Sequence, residues 1–448
     1  MKNIVLNVTK EYECDTLVCG GGVSGFAASV ASGRNGASTI LIESGGFLGG
    51  TATKGLVGPF MTCYDAKGEE RIIKGLYSEL EERLVARGGA IPAKDCPGGD
   101  SHSGYRTPGH IGVMPFNYED LKVTLESMCL EAGVKLLYHT TLIACDTEGD
   151  RITCAYLSDG NDIISIKAKM YIDTTGCASL AHRAGADTMR GNDDGILQTS
   201  SMFFVITGVD KKALDSYMAE HTDMRSRFFM DEIEDGQNTG SFPCGTQKLR
   251  IFENPNGTWT VNMAQVDEQL NELDSEAVTS AEIAQRAQIS KIVEFLRSNV
   301  VGLSNIQLLY TAANIGVRES RRIVGKTVFC LDDIQSSRKF DDRIAVCANS
   351  IDIHLKKGVS YSAHNNANYY IPLSCLISKN ISNLLAAGNN LSADRYAHAA
   401  VRVMPPCIAM GEAAGVTAAL AATKGVAAGD VDHNDVQKIL VKSGARID

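Results

Sequence analysis

Gly20, Gly22 and Gly25 stand in the run Cys19-Gly-Gly-Gly-Val-Ser-Gly25, and Glu43 closes a later apolar run, Thr39-Ile-Leu-Ile42. Each residue type has a physical task. Gly20 permits a tight turn, Gly22 lets a pyrophosphate approach the backbone, and Gly25 lets a helix pack closely on a sheet. Val23 and Ser24 open that helix, whose N-terminal N–H groups and positive dipole end favour phosphate. A carboxylate at Glu43 accepts from a ribose 2′-OH and repels a 2′-phosphate, so FAD or NAD is expected over NADP. A bare glycine turn in an ordinary βαβ unit is the rival reading. The flanking strand Thr16–Cys19, the small residues Ala27, Ala28, Ser29, Ala31 and Ser32, and the terminal acid weigh against it.

Three further groups carry titratable or ligating chemistry. Arg395, Tyr396, His398 and Arg402 lie together. His398 suits general acid–base work because an ordinary imidazole titrates near neutrality. Arg402 suits a carboxylate or developing negative charge. The plain alternative for His398 is a satisfied structural histidine. Arg318, Glu319, Arg321 and Arg322 read as one helix, where Arg321 and Arg322 favour ion pairs and Arg318 stays open. Asp352 and His354 alternate on an expected strand and so share a face. They are grouped with Tyr361, His364, Tyr369 and Tyr370, and His364 lies in a polar stretch that suits a substrate loop. Two histidines and an acid hint at metal, but the spacing matches no metal motif and none is expected.

The elements that must position these groups are legible in outline. After Glu43 a second glycine cluster, Ser44-Gly-Gly-Phe-Leu-Gly-Gly-Thr51, reads as a loop for close approach. Helices are expected over 75–87 and 117–132. Strands are expected over 135–139, 142–146, 151–157 and 167–172, the last running into Asp173-Thr-Thr-Gly176. Residues 93–112 form a long Gly-, Pro- and Ser-rich loop, either a lid or a mobile insertion. From 191 to 349 strand-like runs (202–207, 258–261) mix with a helical stretch (280–298) and no second glycine fingerprint. The earlier style then returns with a strand ending at Gly388-Asn389 and a Gly/Ala-dense helix over 405–422. The domain reading is therefore 1–190 and 350–448 as one nucleotide-binding unit, with 191–349 inserted as an α+β substrate or cap domain.

The chain has 448 residues, a hydrophobic share of 44% and a net charge of −10, which allows a large core and disfavours nucleic acid or an anionic membrane as partner. No apolar run reaches membrane-spanning length and the N-terminus lacks a signal-type apolar core, so a cytoplasmic location is expected. The 13 cysteines are scattered, with no Cys-x-x-Cys pair, and read as small buried hydrophobes in a reducing compartment.

Several blocks in order resemble the FAD-dependent oxidoreductases with the nucleotide-binding fold of the glutathione reductase and fumarate reductase type. They are Cys19–Gly25, Glu43–Thr51, Gly316–Gly325, Ile351–His354, Tyr370–Pro372 and Asn383–Gly415. The resemblance spans nearly the whole chain and implies an α/β, Rossmann-like fold with bound FAD. It places Gly20, Gly22, Gly25 and Glu43 on the ADP moiety, with Val23 and Ser24 at the helix start. Ser44, Gly49, Gly50 and Thr51 fall near pyrophosphate and flavin, and the Leu142 backbone near adenine. Thr175 and Gly176 belong to the strand-end block, Gly388 and Asn389 to phosphate and ribitol, and Val403 and Met404 to the flavin edge. Three blocks depart from the usual pattern. Asp173-Thr-Thr-Gly176 replaces Asp-Ala-Thr-Gly, Gly388-Asn389 replaces Gly-Asp, and Asp394-Arg395-Tyr396 replaces Thr-His-Glu. Non-covalent FAD is the default, Cys63 being the nearest candidate for a covalent link.

The expected reaction is hydride transfer between flavin N5 and a carbon of a small carboxylate or hydroxylated metabolite. His398 would move the proton, and Arg402 or Arg395 would anchor the substrate. The alternatives are a flavin monooxygenase or halogenase, and an electron-transfer subunit without its own substrate. The single Trp259 does not make a halogenase-type tryptophan signature, and iron–sulfur cysteine clusters are missing from the sequence. No nicotinamide fingerprint identifies the electron partner, and a homodimer suits the fold.

Overall fold

The computed structural model describes residues 5, 7–96, 112–192, 194–266, 270–354 and 367–448, and the backbone alone for 360–363. His364 and most of the long loop, 97–111, lie outside the described residues.

The first part of the chain alternates β1 (Lys10–Cys19), α1 (Val23–Arg34), β2 (Thr39–Ile42), α2 (Leu76–Ala86), α3 (Tyr118–Glu131) and β3 (Lys135–Leu137). Then come the long strands β4 (Thr141–Glu148), β5 (Arg151–Ser158) and β6 (Ile163–Asp173), followed by α4 (Ser179–Arg183) and β7 (Thr188–Arg190). Among these helices α3 alone has a side-chain cap from its N-cap residue. The Asn117 side chain accepts from the N–H groups of Glu119 and Asp120 at the start of α3.

The middle holds β8 (Ser201–Thr207), α5 (Lys211–Glu220), α6 (Met224–Arg227), α7 (Met230–Thr239), β9 (Ile251–Glu253), β10 (Trp259–Gln265), α8 (Ser275–Asn299) and β11 (Gln307–Thr311). The last part holds β12 (Arg321–Ile323), α9 (Leu331–Gln335), β13 (Arg343–Cys347), β14 (Ile351–His354), β15 (Ser360–Ala363), β16 (Tyr369–Pro372), β17 (Leu384–Ala386), α10 (Arg395–Val401), α11 (Met404–Lys424) and α12 (His433–Lys442).

The principal sheet has seven strands in the order β3-β2-β1-β6-β5-β4, with β17 also on β6. β6 has two roles. Its first half pairs antiparallel with β5, and its second half pairs parallel with β17. The parallel strands end level, because Cys19 stands opposite both Ile42 and Asp173, and Asp173 opposite Ala386. The glycine turn, Glu43, Thr174–Gly176 and Gly388–Asn389 thus leave the sheet at one carboxyl edge, where α/β sheets bind ligands.

α1 and α11 pack against each other with almost no side chain between them. A Cβ on Gly411 would stand 2.2 Å from the Ser24 carbonyl oxygen, and one on Gly415 would stand 2.2 Å from that of Ala28. The pairing of 24 with 411 and 28 with 415 makes the helices parallel. α11 starts about two turns, roughly 10 Å, ahead of the point facing Ser24. Among the described residues α11 is the one helix long and apolar enough to cross a membrane, and 83% of that stretch is buried inside the protein.

The second sheet is antiparallel, β11-β8-β10-β9. Smaller pairs join β7 to β12 and β13 to β16, so paired strands straddle residues 190 and 349. The segment Arg318–Arg322 is not the expected helix. Arg321 to Ile323 pairs antiparallel with β7, and Gly316 bridges to Ser201, so neighbouring strands take its backbone hydrogen bonds.

Candidate functional site

The carboxyl edge of the sheet builds a cradle from the glycine turn outward. Gly20 has φ +106°, and a Cβ there would meet the Thr174 carbonyl oxygen at 2.5 Å. At Gly25 a Cβ would stand 1.8 Å from the Gly20 carbonyl oxygen, so close packing dictates this glycine. Gly22 differs, since a Cβ there would meet nothing within 4 Å. The open space lies at the N-terminus of α1, which has no side-chain cap and no acidic residue in its first turn. Such an end suits an anion. The loop 44–51 folds across the turn, with the Gly49 N–H donating to the Gly21 carbonyl at 2.8 Å and Gly50 close against Gly22. Thr51 is exposed at its end.

Glu43 is buried at the neighbouring strand end. The Gly21 N–H donates to Oε2 at 2.8 Å, and the Gly45 N–H and Ser44 hydroxyl donate to Oε1 at 2.6 and 3.0 Å. Lys54 completes the set with an ion pair to Oε1. Burial pushes this carboxyl up, but Lys54 and the two backbone donors bring it below its ordinary value. The N–H groups of His139 and Thr140 donate to the carbonyls of Gly45 and Glu43, which brings the start of β4, with buried Leu142, beside the same corner. Sequence reasoning missed Lys54, for nothing in its local pattern marks a partner of Glu43. The open Gly22 face, the uncapped helix end and the ionised acid together fit a dinucleotide.

Further along the edge Asp173 is fully buried and acts as a hub. It accepts from the Thr175 hydroxyl at 2.8 Å, the Ala181 N–H at 2.9 Å and the Asn390 amide at 2.8 Å. Burial pushes its carboxyl up. Thr175 is thereby turned toward Asp173, and Gly176 accepts from the Asn389 amide at 3.0 Å. A Cβ on Gly388 would meet the Ser24 hydroxyl at 2.1 Å. Val403 caps α11, whose first turn again has no acidic residue and no side-chain cap, and Met404 is buried there. Two uncapped helix ends thus open along one edge, offset by roughly 10 Å.

His398 departs from the proton-moving group expected of it. It is completely buried, and Nε2 donates to the Asn389 Oδ1 at 2.9 Å and its carbonyl at 3.2 Å. Burial, with Arg322 and Arg402 nearby, pushes its pKa well below the ordinary value. A neutral ring that supports Asn389 from behind cannot trade protons with a substrate from this position. Arg395 is likewise turned inward, 3.4 Å from buried Glu319, which also takes Arg322 at 2.6 Å. Tyr396 remains 41% exposed.

Arg402 leads to a different cluster. Its Nη2 donates to the Asp352 carbonyl at 2.9 Å and the Gln198 Oε1 at 3.3 Å. The Asp352 carboxylate accepts from His354 Nε2 at 2.8 Å, as the shared strand face predicts. The Thr199 N–H donates to the His354 carbonyl, and Arg318 Nη1 donates to the Thr199 carbonyl at 2.5 Å. Arg250 and Lys248, in the run before β9, lie near enough for the same acid to act on their charge. Side-chain exposure is 13% for Arg402, 15% for His354 and 50% for Asp352, so the cluster lines an accessible recess.

The charges act on one another. Burial, then Arg402, pushes Arg318 down to about 9. Burial, then Arg318, pushes His354 down to about 4 against the pull of Asp352. Burial raises Asp352, but the His354 bond and the guanidiniums hold it well below the usual carboxylate range. At neutral pH the ring is therefore uncharged, with Nε2–H on Asp352 and Nδ1 as the acceptor nitrogen. Sequence reasoning found Asp352, His354, Arg318 and Arg402 separately. It missed Gln198, Lys248 and Arg250, whose only local signal is the alternation of two cations in Lys248-Leu-Arg250.

A sequence profile described as FAD dependent oxidoreductase matches residues 15–440. No curated protein matches the chain. Among solved structures it is similar to a geranylgeranyl bacteriochlorophyll reductase-like protein of Thermoplasma acidophilum, with 13% identity over 97% of this chain and 85% of that one, at a TM-score of 0.48. A flavin-dependent brominase shares 11% identity over 96% and 84% of the two chains at 0.48. A p-nitrophenol 4-monooxygenase of Pseudomonas putida shares 11% over 98% and 88% at 0.47.

Proposed function

The chain belongs to the FAD-dependent oxidoreductase family, and from that membership we propose that it transfers a hydride between FAD and a carbon of a small carboxylate-bearing metabolite. The protein is an FAD-binding enzyme with an α/β fold built on a mainly parallel sheet. In this reading the fold is of the glutathione reductase type. Residues 1–190 and 350–448 form the nucleotide unit, and 191–349 is the inserted substrate domain. The placement of β1 to β6 and β17 in one sheet and of β8 to β11 in another supports it.

Gly22 and the α1 N-terminus would take the pyrophosphate, Glu43 the adenosine ribose, and the start of β4 the adenine. Gly388, Asn389 and the α11 N-terminus would take the ribityl and flavin end, without a covalent link. Bound there, the flavin supplies a two-electron hydride acceptor. The chain's own residues do the rest. Arg402 and Arg318 hold the substrate carboxylate, since guanidinium forks suit that group. His354 Nδ1 accepts the hydroxyl proton as the substrate's C–H leaves as hydride and its C=O forms. Asp352 steadies the resulting imidazolium. His398 is a positioning residue that fixes Asn389. None of the 13 cysteines stands in a disulfide, which supports a reducing, cytoplasmic setting.

One observation carries the reading. Arg402 stands directly before the cap of α11 and reaches across to Asp352 and Gln198, so the recess abuts the expected flavin end. Anaerobic mixing of the purified holoenzyme with a panel of hydroxy- and amino-carboxylates tests it. Loss of the oxidised flavin band with at least one of them is expected. If none bleaches the flavin, and the reduced enzyme instead consumes O₂ faster when an aromatic substrate is added, the monooxygenase alternative replaces it.

A further inference from the structure

We propose that Lys54 is a positioning residue for the adenosine end of the cofactor: its ammonium holds Oε1 of Glu43 and so leaves Oε2 as the atom that accepts from the ribose. The inference rests on Glu43 being the ribose partner, and it gives a task to a side chain outside the glycine fingerprint.

The two carboxylate oxygens are unequally supplied with donors. Oε1 takes the Gly45 N–H at 2.6 Å, the Ser44 hydroxyl at 3.0 Å and the Lys54 ammonium. Among the described residues Oε2 takes the Gly21 N–H alone, at 2.8 Å. A carboxylate oxygen offers about two lone-pair sites, so Oε1 is full and Oε2 has room for one more donor. The donor already on Oε2 belongs to the glycine turn, the side on which the dinucleotide is expected.

Lys54 is fixed from both sides of its backbone. Its N–H donates to the Gly50 carbonyl at 2.8 Å, and its carbonyl accepts from the Ala313 N–H, just beyond β11, at 2.9 Å. A Cβ on Gly45 would stand 2.3 Å from the Lys54 Cε, so a larger residue there would push the stem aside. The ammonium also donates to the Ser44 hydroxyl oxygen at 3.3 Å, and thus spans the acid and one of the acid's own donors. Side-chain exposure is 18% for Lys54 and 7% for Glu43, so water screens the pair little.

Charge follows from this placement. Burial pushes the Glu43 carboxyl up, and Lys54 does most to bring it down again. Two other titratable side chains share the corner. Burial and a bond to Glu126 push the Tyr138 phenol well above its ordinary value, so it stays neutral. The His139 ring lies beside Gly46. Without the ammonium, backbone donors and one hydroxyl would have to hold a buried negative charge, and the acid would take up a proton more readily.

The test follows FAD affinity of the holoenzyme by flavin fluorescence on dilution, at constant ionic strength. The unsubstituted protein should change less than about threefold between about pH 6 and pH 8. Lys54→Met should hold FAD at least about tenfold more weakly at pH 6 than at pH 8, because the acid must shed its proton to accept as a carboxylate. Lys54→Gln is the second neutral variant, with circular dichroism as the check on folding. Glu43→Gln cannot titrate and should weaken FAD about tenfold at every pH. Adding Lys54→Met to it should change neither the level nor the profile, and any contribution of His139 stays common to both. In a crystal structure of the holoenzyme the ammonium should remain on Oε1. Lys54 variants that match the unsubstituted protein overturn the proposal while Glu43→Gln still reports on the ribose. Failure of both Lys54 variants to fold, or a ribose oxygen on Oε1 in place of the ammonium, also overturns it. So does an undiminished Lys54→Met effect in the Glu43→Gln background, which would mean that the ammonium meets the cofactor directly. Undiminished FAD affinity in Glu43→Gln removes the ribose assignment itself, and the proposal with it.

Discussion

The cradle at the sheet edge and the recess beside it solve opposite problems. The cradle is built by subtraction. Gly22 leaves space that no other residue fills, while the one strong charge, Glu43, meets four donors from its own neighbourhood. The recess is built by accumulation, since among the described residues Lys248, Arg250, Arg318 and Arg402 all feel one carboxylate, Asp352. A satisfied cradle keeps its shape without its ligand. A recess with surplus charge gains stability chiefly when an anion arrives. Preorganisation thus resides in the first region, and selectivity for charge in the second.

The comparison breaks most severely at Gly25. Gly25→Val drives carbon into the Gly20 carbonyl, already 1.8 Å from the position of a Cβ. We expect a loss of at least ~3 kcal/mol, read by thermal unfolding, and no flavin retained. Gly22→Ala, which meets nothing in the protein, should keep the apo-protein's midpoint while weakening FAD at least ~tenfold.

A second buried acid sharpens the contrast with Glu43. Among the described residues Glu412 on α11 accepts from the Leu76 N–H alone, at 3.0 Å, and burial raises its pKa to about 7. Its folded pKa stands above the unfolded value. Stability is therefore fully present below pH ~4.5 and is lost as pH rises through ~7. Glu412→Gln should gain up to about 3 kcal/mol at pH 8 and almost nothing at pH 4, seen in melting curves at the two pH values.

Within the recess, Arg318→Met should lower substrate-driven flavin reduction about a hundredfold, near 2.7 kcal/mol, while the thermal midpoint holds or rises. A fall in both would mean that Arg318 is structural.

The two regions also differ in how far the sequence reveals them. The cradle's glycines, helix and acid lie within residues 20–43, and local spacing is enough to read them. The sheet strands and the Gly/Ala helix are legible for the same reason. Recess residues come from segments near 198, 250, 318, 352 and 402, brought together only by tertiary packing. His398 shows the limit well, since its neighbours in sequence suggest chemistry while its burial under Asn389 gives it a support role. Arg321 and Arg322 look helical by spacing, yet pairing with β7 makes them strand. The role expected of His364 falls outside the described residues.

The seam between α1 and α11 has a consequence for the order in which the protein is made. α1 emerges from the ribosome early, and the surface that buries Ser24 and Ala28 waits for Gly411 and Gly415. Until then the glycine turn has its own strand pair but not its second wall, and the neighbouring helix end that would meet the flavin does not yet exist. Cofactor capture by the nascent chain must therefore be a late event. A ribosome stalled before residue 404 should display a chain that cannot retain FAD, whatever the state of its first sixty residues.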